Sequence, residues 1–166
     1  RSPHTVAQGG DKAINSFLLF PFIIRCYGHS PVGGRKCLLL KLSIGDTMSK
    51  KVGVVLAGCG YLDGAEIHEA TLTLLALDRA GATIVNMAPK VDQMHVVDHT
   101  KGEPVEGATR NVFDEASRIA RGEITDLANV KADDLDALIL PGGFGAAKNL
   151  SNFAVAGTEM TVNEDL

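Results

Sequence analysis

Three glycines lie within four positions near the end of this sequence, in the segment LILPGGFGAAKNLS (residues 138–151). We call Gly142, Gly143 and Gly145 the glycine loop. Glycine lets a bare backbone approach a ligand closely, with N–H groups free to hold an oxyanion or a phosphate. The spacing GGxG is neither the GxGxxG of a dinucleotide site nor the GK[ST] ending of a Walker A loop. The glycine loop is therefore a candidate oxyanion site or, equally, a tight turn between a strand and a helix.

Cysteine and histidine, the usual nucleophiles and metal ligands, form no recognisable metal motif. The three cysteines, Cys26, Cys37 and Cys59, include no CxxC pair, and no HExxH is present. His95 and His99 share one face of a short predicted strand, but Asp98 between them points to the opposite face. A metal site would need a third ligand, so we predict neither a metal nor another cofactor.

Composition excludes several classes of protein. The formal net charge of -4 gives no electrostatic reason to expect nucleic acid as a partner. The longest apolar run, residues 17–24, is interrupted by Pro21 and is far shorter than a bilayer span. We therefore predict no membrane segment. With 166 residues, of which 45% are hydrophobic, the chain can form one globular core.

The charge is unevenly distributed along the chain. Residues 1–47 carry six basic and two acidic residues, a net of +4, whereas the rest carries ten basic and eighteen acidic residues, a net of -8. The first segment lacks a sustained helical or strand period. We predict that residues 1–47 are a poorly structured leader, either a targeting segment or a non-native extension, with a small structured appendage as the third possibility. The domain then occupies residues 48–166.

The elements that must position the glycine loop follow in regular order. VGVVLAG (residues 52–58) is a continuous apolar run of the kind that forms a strand buried on both faces of a parallel sheet. The next segment is helical, with apolar residues at spacings of three and four, and we predict a capping box of Asp63 with Glu66 at its start. Gly81 stands where a left-handed C-terminal cap belongs.

The remaining elements continue the alternation. We predict strands at residues 82–89, 93–99 and 136–140, a turn at residues 101–104, and a helix over residues 110–123 closed by Gly122. Alternating strands and helices favour an α/β fold with a doubly wound, flavodoxin-like parallel sheet flanked by helices. In such sheets, ligands bind outside the carboxyl ends of the strands. The glycine loop follows one of those ends, and Cys59 follows another.

Four long motifs resemble a known family: GVVLAGCGYLDGAEIHEA, MAPKVDQMHVVDHTKG, TRNVFDEASRIARGEITDLA and LILPGGFGAAKNLSNFA. They look like the ElbB-like proteins and the mitochondrial ES-one protein homologues, which are similar to the PfpI-type proteases and the class I glutamine amidotransferase-like superfamily. The resemblance runs from about Lys51 to Leu166. It implies that the chain is the N-terminal part of such a domain, with the C-terminal half of the sheet and the nucleophilic cysteine missing.

The resemblance also assigns site residues. Glu69 falls where the family places a carboxylic acid beside the thiolate, and such a group can donate a hydrogen bond that lowers the pKa of the thiol. Gly142 and Gly143 would supply N–H groups to an oxyanion, and Cys59, Gly145 and Asn149 would contact the substrate. From the residues alone, Glu69 is more often a solvated helix glutamate, and Cys59 is more often a small buried filler.

Two classes of function remain open at this level. The family implies a cofactor-independent, glyoxalase-like cysteine enzyme that acts on small reactive carbonyls such as glyoxal and methylglyoxal, inactive without its nucleophile elbow. The alternative is a non-catalytic or regulatory member. The resemblance favours a mitochondrial location, with a cytoplasmic one as the alternative, and a homo-oligomer is possible.

Overall fold

The structure, a computed structural model, describes residues 49–166. The predicted leader, residues 1–47, lies outside the described residues. The described elements, in chain order, are β1 (Lys51–Val55), α1 (Ile67–Arg79), β2 (Thr83–Ala88), β3 (Val97–Asp98), β4 (Glu103–Pro104), α2 (Val112–Ala120), β5 (Thr125–Asp126), β6 (Ala137–Ile139), α3 (Phe144–Lys148) and α4 (Phe153–Ala156). Short 3-10 turns occupy Leu127–Asn129, Ala132–Asp134 and Gly157–Glu159. None of these helices is long and apolar enough to cross a bilayer.

Four strands form a parallel sheet in the order β5-β2-β1-β6. Strand β1 lies between β2 and β6, and its Val52 is in register with Ile84 on one side and with Ala137 on the other. Parallel strands need crossover connections, and α1 joins β1 to β2. The predicted parallel α/β architecture is therefore present in the described residues.

The central strand is apolar because both of its faces are covered. Val54 packs in a cluster with residues of α1 and α2, including Ala70 and Ala116. Val55, which points to the opposite face, packs in a second cluster with Met87 and Leu127. Neither Val54 nor Val55 exposes any surface to solvent. This two-sided burial explains why the sequence of β1 does not alternate between apolar and polar residues.

Helix α1 begins differently from the sequence prediction. Its N-cap is Glu66, whose own carboxylate accepts a hydrogen bond from Glu69 N at 2.7 Å. Asp63 is buried, and its side chain accepts a hydrogen bond from Val97 N in β3 instead of capping α1, so the predicted capping box is wrong. The C-terminal prediction is confirmed, because Gly81 has the left-handed φ of +72°.

Two further segments depart from the prediction. Only Val97–Asp98 of the predicted third strand is extended, and it pairs antiparallel with Glu103–Pro104 in a separate two-stranded hairpin. Helix α2 is shorter than predicted and ends at Ala120, and its C-cap Arg121 takes the left-handed conformation, with a φ of 54°. Strand β5 has only two residues and too little pattern to be recognised in the sequence.

Candidate functional site

The glycine loop and the first turn of α1 meet at the carboxyl edge of the sheet. Gly142 N donates a hydrogen bond to Glu69 Oε2 at 2.7 Å, and Gly142 O accepts one from Glu66 N at 2.6 Å. Gly142 lies just after β6, whereas both glutamates lie just beyond the loop that follows β1. The structure therefore brings together Glu69 and Gly142, which the family resemblance assigned to one site.

The N–H groups of the glycine loop are not equivalent. The Gly142 N–H is already bound by Glu69, and the Gly145 N–H donates to Gly64 O at 2.9 Å. The Gly143 N–H makes no hydrogen bond within residues 49–166. Gly143 also has a φ of 110° and a ψ of 154°, a conformation that is essentially restricted to glycine. In this arrangement, Gly143 rather than Gly142 has the N–H that can bind a ligand.

Gly145 and Asn149 hold the loop in place. A side chain at Gly145 would collide with the backbone of Gly64 and with Ala57 O, so this glycine permits close packing of two loops. Asn149 is buried, and its Nδ2 donates to Ala57 O at 2.8 Å and to Asp63 O at 2.9 Å. Both amide donors of Asn149 are therefore used within the protein. Its predicted contact with substrate stays a prediction. Such a contact would have to use Oδ1, which already accepts from Met94 N and could accept one further hydrogen bond.

Cys59 is a weak nucleophile in this structure. Burial raises the pKa of the thiol above its ordinary value of 9.0, and the carboxylate of Glu115 raises it further. Arg118 and Arg110 act in the opposite direction but do not reverse the shift. Because the thiolate is the reactive form, a raised pKa leaves Cys59 mostly as the inert thiol at neutral pH. The charges that act on Cys59 are those of Glu115, Arg118, Asp63 and Arg110, and Glu69 is not among them.

Asp63, which the sequence predicted as the N-cap of α1, instead links two loops of the site. Its side chain is 0% exposed, and Oδ2 accepts a hydrogen bond from Val97 N at 2.7 Å. Its carbonyl accepts from both Gln93 and Asn149. Asp63 thus joins the loop after β1 to the segment before β3. One feature of the sequence could have pointed to Asp63: it is an acidic residue in a turn, YLDG, that lies between a buried strand and a helix.

The N-cap of α1 makes the site sensitive to acid. Burial acts to raise the pKa of Glu66, but the hydrogen bonds from Glu69 N and from the side chain of His68 outweigh it, so this pKa lies below its ordinary value of 4.5. The folded protein therefore holds the carboxylate at a lower pKa than the unfolded chain does. The cap stabilises α1 at neutral pH, and this stabilisation is lost as the pH falls through the lowered pKa.

We expect the first turn of α1 to fray between about pH 5 and pH 3, at a cost of about 1 kcal/mol. The Glu69 amide shift, followed by NMR, measures the loss of the cap. Glu66→Gln keeps an oxygen that can accept from Glu69 N but removes the titrating group. The same acid response in this variant would show that Glu66 is not responsible.

Comparison with known proteins identifies relatives of similar sequence. Glutamine amidotransferase-like class 1 domain-containing protein 3, mitochondrial, of Homo sapiens is 60% identical over 116 residues, which are 70% of this chain and 43% of the relative. The ES1 protein homolog, mitochondrial, of Rattus norvegicus is 58% identical over 116 residues, 70% of this chain and 44% of the relative. The ES1 protein, mitochondrial, of Danio rerio is 39% identical over 126 residues, 74% and 47% of the two chains. The chain thus spans less than half the length of these relatives.

A solved structure supports the fold. The isoprenoid biosynthesis protein with amidotransferase-like domain from Ehrlichia chaffeensis is 42% identical, with a TM-score of 0.65 over 69% of this chain and 54% of that one. This likeness confirms the predicted flavodoxin-like α/β fold. No family profile matches the chain.

The names of the relatives also bear on location. All three are mitochondrial proteins, which confirms the mitochondrial location predicted from the sequence. Over the residues that these relatives match, the chain belongs to the glutamine amidotransferase-like class 1 family that includes the mitochondrial ES1 proteins.

Proposed function

We propose that the full-length protein is a cofactor-independent cysteine enzyme that acts on small reactive carbonyls such as glyoxal and methylglyoxal. Glu69 would be the acid beside the thiolate, and the glycine loop would form the oxyanion side of the cleft. The observation that carries this proposal is the hydrogen bond of 2.7 Å between Gly142 N and Glu69 Oε2. It joins the two halves of the assigned site at the edge of the sheet where α/β proteins bind ligands.

The chemistry requires one acid and one oxyanion donor. When a thiolate adds to an aldehyde carbon, a sulfur–carbon bond forms and the carbonyl electron pair moves onto oxygen. A backbone N–H aimed at that oxygen can stabilise the transition state by about 3 kcal/mol. Gly143 has such an N–H without a partner in the described residues. Glu69 uses Oε2 to hold Gly142, and its Oε1 makes no hydrogen bond within residues 49–166, which leaves Oε1 to face the thiol.

The thiolate would come from a part of the domain outside residues 49–166. Cys59, the cysteine within this range, has a thiol pKa that burial and the Glu115 carboxylate raise, which suits it poorly to this role. The relatives are more than twice as long as the segment matched here, so they contain further sequence that can supply the nucleophile. This division of the site between two parts of the domain is part of the proposal.

Glu69→Gln tests the role of the acid. We expect kcat/KM of the full-length protein for methylglyoxal to fall by about 100-fold, because general acid and base groups contribute on that order. The amide keeps an oxygen that can accept from Gly142 N, so the fold should survive, and circular dichroism checks this. Glu106→Gln, at an exposed position that makes no hydrogen bond to the glycine loop, is the matched control and should keep full activity. Unchanged kinetics in Glu69→Gln would remove Glu69 from the mechanism.

Replacing each cysteine of the full-length protein in turn by alanine tests the nucleophile. We expect one replacement outside residues 49–166 to abolish carbonyl consumption, and we expect Cys59→Ala not to do so. Folded full-length protein that consumes neither glyoxal nor methylglyoxal would favour the alternative, a non-catalytic or regulatory member of the family.

A further inference from the structure

Asp63 has a carboxylate oxygen that lacks a donor. Its side chain is fully buried, and although Oδ2 accepts from Val97 N, Oδ1 makes no hydrogen bond within the described part of the chain. A buried polar atom without a partner is unfavourable in a folded protein, so its presence calls for a compensating role.

The imidazole of His99 lies beside this unpaired oxygen. His99 Nε2 is 3.7 Å from Asp63 Oδ1, and the His99 side chain is 34% exposed. Gly60 makes the approach possible, because a side chain at this position would collide with both Asp63 Oδ1 and the His99 ring. The two groups are therefore held next to each other without an intervening side chain.

The hydrogen bonds of His99 fit its neutral form. Nδ1 lies 3.0 Å from Val97 O, an acceptor, so Nδ1 carries the proton. Nε2 then has a free lone pair, and it accepts from Leu62 N at 3.3 Å. In this form, His99 holds the Leu62 amide, and Asp63 Oδ1 is left without a donor.

Protonation reverses this pairing. A proton on Nε2 would face the Leu62 N–H, so that hydrogen bond cannot persist, because both groups are then donors. The adjacent acceptor is Asp63 Oδ1, which needs a donor and would form a charge-assisted hydrogen bond. The same two side chains thus have two exclusive hydrogen-bond sets, selected by a single proton.

We infer that Asp63 and His99 form a proton-operated switch on the turn between β1 and α1. When His99 is neutral, Nε2 holds the Leu62 amide. When His99 is protonated, Nε2 donates to Asp63 Oδ1 and the Leu62 amide is released. The inference does not depend on the proposed enzymatic activity, because it concerns only the state of the turn.

The turn is connected directly to the glycine loop. Phe144 N donates to Tyr61 O at 2.8 Å, and Lys148 Nζ donates to Leu62 O at 2.8 Å. Rotation of the peptide between Tyr61 and Leu62 on release of the amide would disturb the first of these bonds. Acidification therefore loosens the start of α3, next to Gly143.

The other groups around His99 do not duplicate the role of Asp63. The Tyr61 ring packs edge-on against His99, with 5.3 Å between the ring centroids. On the hairpin that carries His99, the Asp98 carboxylate accepts a hydrogen bond from Thr100 N and forms an ion pair with Lys101. Glu103 on the same hairpin is exposed. Lys148, from α3, is bound to Leu62 O. Among residues 49–166, Asp63 is the acidic group that lies within ion-pair distance of the His99 ring.

NMR titration of the 166-residue chain tests the switch. The ring nitrogens of His99 report its protonation, and the amide of Leu62 reports the hydrogen bond. We expect the Leu62 amide resonance to move with the same midpoint as His99 and to lose its protection from solvent exchange on the acid side. A Leu62 amide that does not respond while His99 titrates would overturn the inference.

Two variants separate the switch from a merely structural pair. In Asp63→Asn, the amide can still accept from Val97 N, but protonated His99 then has no charged acceptor, so the Leu62 amide should lose less of its protection from solvent exchange on the acid side than in the parent protein. In His99→Gln, the side-chain oxygen can accept from Leu62 N at every pH, so the Leu62 resonance should become independent of pH. If Asp63→Asn does not fold, His99→Gln alone decides, and a persistent pH response of Leu62 in that variant refutes the switch.

Discussion

Gly143→Ala is expected to destabilise the folded chain by at least about 3 kcal/mol, which is enough to unfold a marginal domain. The backbone of Gly143 has a φ of 110° and a ψ of 154°, where an alanine pays roughly 1–3 kcal/mol in strain. A Cβ at this position would also collide with Gly64 O and Glu66 N, both of which are backbone atoms. These atoms belong to the turn that holds the glycine loop, so they cannot move independently of it. Urea denaturation followed by circular dichroism measures the loss.

Gly102→Ala is the matched control for that experiment. Gly102 also has a positive φ, of 75°, but a Cβ there meets nothing within 4 Å. The change should therefore cost only the left-handed strain, about 1 kcal/mol. If both variants lose the same stability, the close approach of the glycine loop to Gly64 and Glu66 contributes nothing, and the geometry described for the site is wrong.

Asn149→Ala is expected to cost about 3 kcal/mol of unfolding free energy. The amide donates to Ala57 O and Asp63 O and accepts from Met94 N at 3.0 Å. Its removal leaves these backbone groups without partners in a buried region, and each unsatisfied group costs roughly 1–3 kcal/mol unless water enters. The same denaturation assay measures this effect.

Two substitutions sharpen the test of Asn149. Asn149→Asp preserves the shape but turns a carboxylate oxygen toward two carbonyl oxygens, so at neutral pH it should be at least as harmful as alanine. Asn163→Ala removes only an exposed contact, between its Oδ1 and Asp165 N, and should change stability by less than about 0.5 kcal/mol. An Asn149→Asp variant as stable as the parent would mean that water, and not the amide, satisfies these carbonyls.

The parts of the fold that the sequence predicted well are those that obey a strong period. β1 is apolar without interruption because both of its faces are buried, and Gly81 marks the end of α1 because a left-handed turn favours glycine. The two-residue strand β5 has no period to detect, since its pairing with β2 depends on tertiary position. The spacing of apolar residues in a sequence indicates which segments are buried. It does not indicate which short segments pair with each other in the fold.

The candidate site shows the same limit at the level of single residues. Asp63 and Glu66 both fit the start of a helix, and nothing in their spacing says which of them caps α1. The choice follows from Val97, 34 residues away, whose backbone N–H binds the Asp63 carboxylate. In the same way, the family resemblance placed Glu69 near the glycine loop, but only the coordinates show that Glu69 occupies the Gly142 N–H.

The parallel pairing of β1 with β6 has a consequence for how the molecule assembles. Lys51 N binds the Asp136 carboxylate at 2.8 Å across a sequence separation of 85 residues. Contacts of such length carry a large loop-closure entropy and slow the folding of a domain. During synthesis, β1, α1 and β2 emerge early and can pair with one another, whereas β6 must leave the ribosome before it can join them. The glycine loop therefore reaches Glu69 only in a late folding step, so the site should be the last part of this region to acquire its native geometry.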